Sequence, residues 1–435
     1  MGRTNHFEFP EVPFMSRKLD FPVFDADNHM YETTDAFTKY LPDSHAGLVK
    51  YVQVAGRTKI ALRNTISEYI PNPTFNKVAP PGAQEVEFKL KNPSSRTKAP
   101  KEGDKVLTDP PRYIDAPPAF FNPLDRLELM NELSIDRAIM WPTLASLLEE
   151  RLADDPEATH VVVTALNEWM HEHWSYNVDD RIFATPVITL PIVDEAIREL
   201  DRVVERGARV ILIRPAPVPD LKGGRRSFAL PEYDPFWKRV EESGVLVGMH
   251  ASDDGFQRYI NDWEGNKGEY LPFGGHNSGF YETLHAESRT IKDVVASIVG
   301  HGLATRFPKL RFVPVENGSS WVRPLVETLE KVYDRAPQAF DEDPVVALKR
   351  SIFIHPFHEE DPVGLVDIVG ADNVVFGSDY PHPEGMFDPV TWVDELEDLD
   401  LEDRKKIMGG TLSKLIGIDP NVGALPDTSG VAARG

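Results

Sequence analysis

The chain has 435 residues, 41% hydrophobic and 27% charged, which is the balance of a folded globular protein and not of a disordered or fibrous one. With 70 Asp and Glu against 47 Lys and Arg its formal charge is −23, so nucleic acid and anionic membrane are repelled, although a metal or a few arginines can make one pocket locally positive. The absence of cysteine rules out disulfides, zinc–thiolate sites, iron–sulfur clusters and cysteine nucleophiles, leaving His, Asp and Glu as the metal ligands available.

Residues 1–20 read as an N-terminal extension with no apolar core of signal-peptide length, and no apolar run reaches membrane-spanning length, so a cytoplasmic location is expected. The first strand is expected at Pro22–Ala26. Further β-rich apolar runs follow at Arg137–Trp141, Ile182–Ile188, Ala208–Ile213, Val245–Met249, Arg311–Val315, Ile352–Ile354 and Val374–Gly377. Helical patterns alternate with them at Pro123–Ser134, Ala158–Tyr176, Asp194–Arg206, Asp234–Ser243, Thr290–Arg306 and Trp321–Ala336. Eight strands alternating with helices predict a parallel α/β fold closed into a (β/α)8 TIM barrel over residues 21–417.

Two stretches interrupt the alternation. Residues 46–120 carry a hairpin-like segment, Val49–Ile70, and then a Pro-, Lys- and Gly-rich run too long for an ordinary connection, so they read as an insertion or arm after the first strand. The segment Ala251–Arg289, after the fifth strand, is rich in Gly, Asn, aromatics and His. Long loops on that side of a barrel shape active sites, and Trp263, Tyr270, Phe273 and Phe280 could line a pocket there or simply pack. Residues 418–435 read as a flexible C-terminal tail.

In a parallel barrel, functional groups sit where strands end. Here the first strand runs into Asp25-Ala26-Asp27-Asn28-His29, the fifth into His250, the sixth into Glu316, the seventh into His355 and the eighth into Asp379. All are hard or borderline metal ligands. Asp27 and His29 are two apart, so on extended chain they share a face and can meet one ion. Taken singly, Asp27 could cap a turn, His250 could be a core histidine and Asp379 could close a turn. Their joint placement at one end of one barrel favours a metal. Around it, Arg214 could clamp a substrate carboxylate or form a structural ion pair. His276, His285, His355 and His382 are mouth-side candidates for substrate binding, while Glu360 and Asp361 read as helix caps. His301 falls at the opposite end of its helix and is set aside.

These residues bring the chain to a known pattern. FDADNHMYE, Val-Gly-Met-His250, the Arg306-Phe-Pro-Lys-Leu-Arg-Phe run, Phe-Gly-Ser-Asp379-Tyr-Pro and Ile407-Met-Gly-Gly-Thr-Leu-Ser-Lys-Leu-Ile-Gly occur in order. Over roughly residues 20 to 417 the chain resembles the amidohydrolase-related family, the branch that includes aminocarboxymuconate-semialdehyde and γ-resorcylate decarboxylases. The resemblance implies a barrel with a divalent metal, zinc or manganese, and carries ligand roles onto Asp27, His29, His250 and Asp379. Where many relatives have a histidine after the sixth strand, this chain has Glu316, and its first pair is Asp-x-His. Glu316 could serve as general base, as a further oxygen ligand, or as a structural carboxylate paired with Arg323.

The expected function is a metal-dependent hydrolase or carbon–carbon lyase (decarboxylase) acting on a small, carboxylate-bearing organic molecule, with Glu316 or Asp379 moving the proton. Two alternatives remain open at this level. The donor set could hold iron, or a second metal, in a mono- or dinuclear oxygenase. The chain could also be a non-catalytic subunit with a structural metal. In either case the arm favours a homo- or hetero-oligomer of related barrels.

Overall fold

In the computed structural model, which describes residues 16–67, 69, 70, 72–84, 112–265, 278–285 and 288–425, strand β1 covers Phe24–Met30. The meander β2 (Val49–Val54), β3 (Arg57–Leu62) and β4 (Thr65–Ser67) is antiparallel. So is the short pair β5 (Lys77–Val78) and β6 (Ile114–Asp115). There follow β7 (Arg137–Pro142), β8 (Ile182–Ala184) and β9 (Val210–Leu212). A small hairpin, β10 (Val218–Pro219) with β11 (Arg225–Arg226), precedes β12 (Leu246–His250) and β13 (Phe312–Val315). His276, Tyr270, Phe273, most of the expected N-terminal extension and the end of the tail lie outside the described residues.

The main strands are parallel. β1, β7 and β8 form one run, and β9, β12 and β13 another, joined by a bridge from Val187 to Leu212. Single parallel bridges then lead from Phe312 to Ile352, from Ile354 to Val374, and from Tyr380 to Asn28 of β1. The expected strands at Ile352–Ile354 and Val374–Gly377 are therefore present as bridged segments and not as full ladders. Proline shortens another: Pro186 cannot donate to a ladder, and the expected Ile182–Ile188 strand pauses after Ala184.

The helices between strands start on a repeated local signal. Asn122, Asp155, Asp343 and Asp361 each precede a proline, and each side chain accepts a backbone N–H of the first turn. The expected Thr290–Arg306 helix is two helices, Arg289–Gly300 and Leu303–Arg306. Between them Gly302 takes φ +71°, a left-handed conformation that ends the first helix.

The largest correction concerns the first strand. It begins at Phe24 and runs to Met30, with every residue buried, so Asp25, Asp27 and His29 stand within the strand. Polar residues read as the start of a loop, but here Asp25 is satisfied across the fold. Asp25 accepts from the Asp27 and Ser378 backbone N–H groups, from Asn28 and from the Ser378 hydroxyl. It thereby ties β1 to the chain entering Asp379. No helix among the described residues is long and apolar enough to cross a membrane.

Candidate metal centre

Past a register shift between Asp25 and Asn28 in β1, Asp27 and His29 bring their side chains together, while Asp25 bonds the Asn28 side chain. β12 delivers His250 as its last residue, and β13 is followed at once by Glu316. Glu316 and Asp379 both adopt left-handed backbone, at φ 53° and 54°. Such backbone is costly for non-glycine residues and here turns two side chains sharply out of the strand direction.

Five side chains converge. His29 Nε2 lies 3.0 Å from His250 Nε2, and Asp27 Oδ1 lies 3.3 Å from each of them. Asp379 Oδ1 stands 3.5 Å from His29 Nε2, and Glu316 Oε2 stands 3.2 Å from His250 Nε2. Asp27, His29, His250 and Asp379 are all buried, and Glu316 keeps 17% of its side chain exposed.

Hydrogen bonds to the far ring nitrogens assign the tautomers. His250 Nδ1 faces the Ala251 carbonyl at 2.9 Å and must donate to it. His29 Nδ1 faces the Thr143 hydroxyl at 3.3 Å, and that hydroxyl donates to the Met30 carbonyl at 2.9 Å, so it accepts from His29. Both Nε2 atoms then present lone pairs to one point, a contact that is repulsive unless a cation stands between them. Asp27 Oδ2, 3.6 Å from His355 Nδ1, accepts no hydrogen bond among the described residues. Two imidazoles, a buried carboxylate and no thiolate suit a borderline divalent ion such as zinc or manganese.

The electrostatics agree. Burial pushes the Glu316 and Asp379 carboxyls well up, reinforced by the fields of neighbouring carboxylates. Burial also disfavours charge on Asp27, but His250 and His29 outweigh it and hold that carboxyl below its usual range. Burial lowers His29, whereas at His250 the Asp27 and Glu316 carboxylates overcome burial and raise the imidazole. Without a cation, a proton on His250 takes up the role.

The other expected site residues divide by what they touch. His382 Nδ1 meets Asp379 Oδ1 at 2.7 Å, and its ring lies 4.0 Å from that of His29. His355 sits beneath the centre with both nitrogens on backbone: Nδ1 accepts the Glu316 N–H at 3.2 Å and Nε2 faces the Gly377 carbonyl at 3.2 Å. It positions Glu316. Arg214 pairs with buried Glu150 at 2.8 Å, the ion-pair reading. His285 ends a helix, Gly279–His285, but its side chain lies outside the described residues.

Several contributors carried no motif. Arg126, fully buried, donates to Asn28 Oδ1, the His29 carbonyl and the Ala119 carbonyl, bracing the strand under the cluster. Glu384 lies with Glu316 and Asp379 in a second donor group, and its place two residues beyond His382 is the one signal that could have found it. Phe75 stacks on Tyr31 at 4.2 Å, and Tyr31 stacks on His382 at 5.9 Å, which packs on His29.

Glu32, just beyond β1, is also buried and accepts the Leu144 N–H at 2.7 Å. Burial pushes its carboxyl from 4.5 up to about 8. Between those pH values the native protein holds a proton that the unfolded chain has released, so this group's contribution to stability declines as pH rises through that window. Glu32→Gln keeps the acceptor without the titration. Urea midpoints measured across pH 5 to about 8 are expected to fall less steeply in the variant than in the parent. Parallel slopes would remove Glu32 from the account.

A sequence model of the amidohydrolase family matches residues 25–418. The chain belongs to the amidohydrolase family. This amidohydrolase-family enzyme is similar to an amidohydrolase from Mycobacterium avium subsp. paratuberculosis, at 36% identity and TM-score 0.82, over 92% of this chain and 99% of that one. More distant solved structures share the fold. A variant of 5-carboxyvanillate decarboxylase from Novosphingobium aromaticivorans, with bound manganese and 3-methoxy-4-hydroxy-5-nitrobenzoic acid, is 14% identical at TM-score 0.54, covering 93% of this chain and all of that one, 100%. Dihydroxybenzoic acid decarboxylase from Polaromonas sp., with manganese and 2-nitroresorcinol, is 14% identical at TM-score 0.51, over 91% and 97%.

Proposed function

We propose that the chain is a metal-dependent carbon–carbon lyase or hydrolase acting on a small carboxylate-bearing molecule, with decarboxylation the favoured reaction. Asp27, His29, His250 and Asp379 would hold one divalent ion, manganese or zinc, at the mouth of a (β/α)8 barrel formed by the parallel strands. The observation that carries this reading is the convergence of two imidazole Nε2 atoms, 3.0 Å apart, with a buried carboxylate 3.3 Å from each. The manganese bound by the fold neighbours supports it.

When bound, the ion would polarise an oxygen of the substrate and favour the charge that builds there. The chain's own groups do the rest. Loss of carbon dioxide leaves its bonding electron pair on carbon, and that carbon must take a proton. The Asp379–His382 pair, at 2.7 Å, can hold and deliver that proton. His382, from the loop after Asp379, thus supplies the imidazole that the chain lacks after β13. Glu316, fixed by its backbone bond to His355, stands 3.2 Å from His250 and can move a second proton.

Purified protein is assayed for carbon dioxide release from aromatic and aliphatic carboxylic acids, and for hydrolysis of amides, esters and lactones. Turnover that chelation abolishes and manganese or zinc restores is expected. Equal turnover by metal-free protein would overturn the reading. A second reading, a dinuclear iron or manganese oxygenase, draws on the group Glu316, Asp379 and Glu384 beside the first. Elemental analysis separates them: two ions per chain including iron favour the oxygenase, and one ion favours the lyase or hydrolase.

A further inference from the structure

Two parallel strands end at the centre, and each brings one side chain to it. β12 closes on His250, and β13 is followed at once by Glu316, whose Oε2 stands 3.2 Å from His250 Nε2. The backbone rung nearest these two side chains runs from the Ala251 N–H to the Val315 carbonyl, at 3.1 Å. Glu316 then takes left-handed backbone, at φ 53°, and the chain leaves the ladder. A parallel pair is held together by its rungs, so past this point the spacing of the two strand ends needs another restraint.

A side chain supplies it. Asn317 Nδ2 lies 2.6 Å from the Val315 carbonyl oxygen and 3.0 Å from that of Met249. Both acceptors are carbonyls, so the amide must present its nitrogen and donate both N–H groups to them. These carbonyls belong to the peptide units that lead into Glu316 and His250. A peptide unit is planar, so holding its oxygen fixes the rotation from which the next Cα–Cβ bond departs. The unit between Val315 and Glu316 is gripped on both edges: its oxygen by Asn317 and Ala251, its N–H by His355 Nδ1 at 3.2 Å. A different group secures the far side of the turn. The Glu360 carboxylate accepts the Ser319 N–H at 2.7 Å and the Ser320 N–H at 3.1 Å, and among the described residues its hydrogen bonds reach Ser319, Ser320 and Phe357 but not β12.

We propose that Asn317 is a positioning residue: its amide sets the spacing of His250 and Glu316 by tying together the strand ends that carry them. The proposal rests on the proposed function only for what that spacing serves, the hold on the metal and the proton that Glu316 moves. Without the amide both peptide units lose a restraint, and removing a group that orients a metal site typically weakens binding by about 10- to 100-fold.

Crystal structures of the metal-free parent and of Asn317→Ala test the spacing directly. His250 Nε2 and Glu316 Oε2 should part by about 1 Å or more in the variant. The same separation in both would overturn the proposal. Manganese titration of the two full-length proteins reads the consequence and needs no turnover. The dissociation constant should rise by about tenfold or more in Asn317→Ala. Glu360→Gln controls for a loosened turn: it should lower the melting temperature, as Asn317→Ala does, yet keep manganese affinity within about twofold of the parent. Equal losses of affinity in the two variants, or no loss in Asn317→Ala, would count decisively against Asn317. Asn317→Ser, whose hydroxyl is too short to bridge both carbonyls, takes its place if the alanine variant fails to fold. A parent that takes up no manganese would sink the proposed metal site, and the crystallographic separation would then decide the role of Asn317 by itself.

Discussion

Asp27→Asn is expected to empty the proposed metal centre while leaving the fold intact. The substitution keeps volume and one oxygen but removes the charge shared by His29 and His250, each 3.3 Å from Oδ1. It also puts an amide N–H₂ where Oδ2 now has no hydrogen-bond donor, 3.6 Å from His355 Nδ1. A neutral amide is a poor ligand beside two imidazoles, and it no longer offsets the charge of a cation held between them. Elemental analysis should show metal falling from about one ion per chain to a tenth of that or less, with turnover down by about 10³-fold. Circular dichroism and elution volume should match the parent. A variant that keeps stoichiometric metal would remove Asp27 from the ligand set and with it the central argument for the site.

Gly248→Ala is expected to cost about 3 kcal/mol, a large effect for one methyl group. A Cβ at this position would stand 2.1 Å from Trp141 Cη2 and 2.6 Å from Cζ3. The indole has no room to give. It is fully buried, its Nε1–H donates to the Ala26 carbonyl at 2.8 Å, and its ring lies 5.3 Å from that of His250. The glycine cannot retreat either, because β12 is held on both sides, opposite Leu212 in β9 and Val313 in β13. Relief therefore requires Trp141 to move toward β1 or His250, which should also loosen metal binding. Urea midpoints give the stability, and the double variant Gly248→Ala/Trp141→Phe should recover part of the loss, since the clashing atoms belong to the outer ring of the indole. Full stability of the single variant would show that β12 and Trp141 are not packed face to face.

Much of the site was legible in the residues because the relevant rules are local. A strand alternates with period two, so Asp27 and His29 had to share a face wherever β1 lay. Apolar runs ending in His250, Glu316 and Asp379 marked the strand ends, and the structure brings those side chains to within a few ångströms of each other. Helix starts at Pro123, Pro156 and Asp234 were likewise marked by caps or prolines within a few residues.

What only the tertiary structure decided depends on partners distant in sequence. Whether Arg214 clamps a ligand or pairs with protein turned on Glu150, 64 positions away, and nothing in the run ending at Arg214 names it. The reach of β1 through Asp25 and Asp27 turned on Ser378, some 350 positions on, whose N–H and hydroxyl make a buried carboxyl tolerable. The tautomers of His29 and His250, which aim both lone pairs at one point, turned on the Thr143 hydroxyl and the Ala251 carbonyl. The sequence by itself determined which faces carry polar groups, because backbone geometry acts over two to four residues. Partners and protonation awaited the fold, because burial and Coulomb interactions depend on which distant groups the packing brings within a few ångströms.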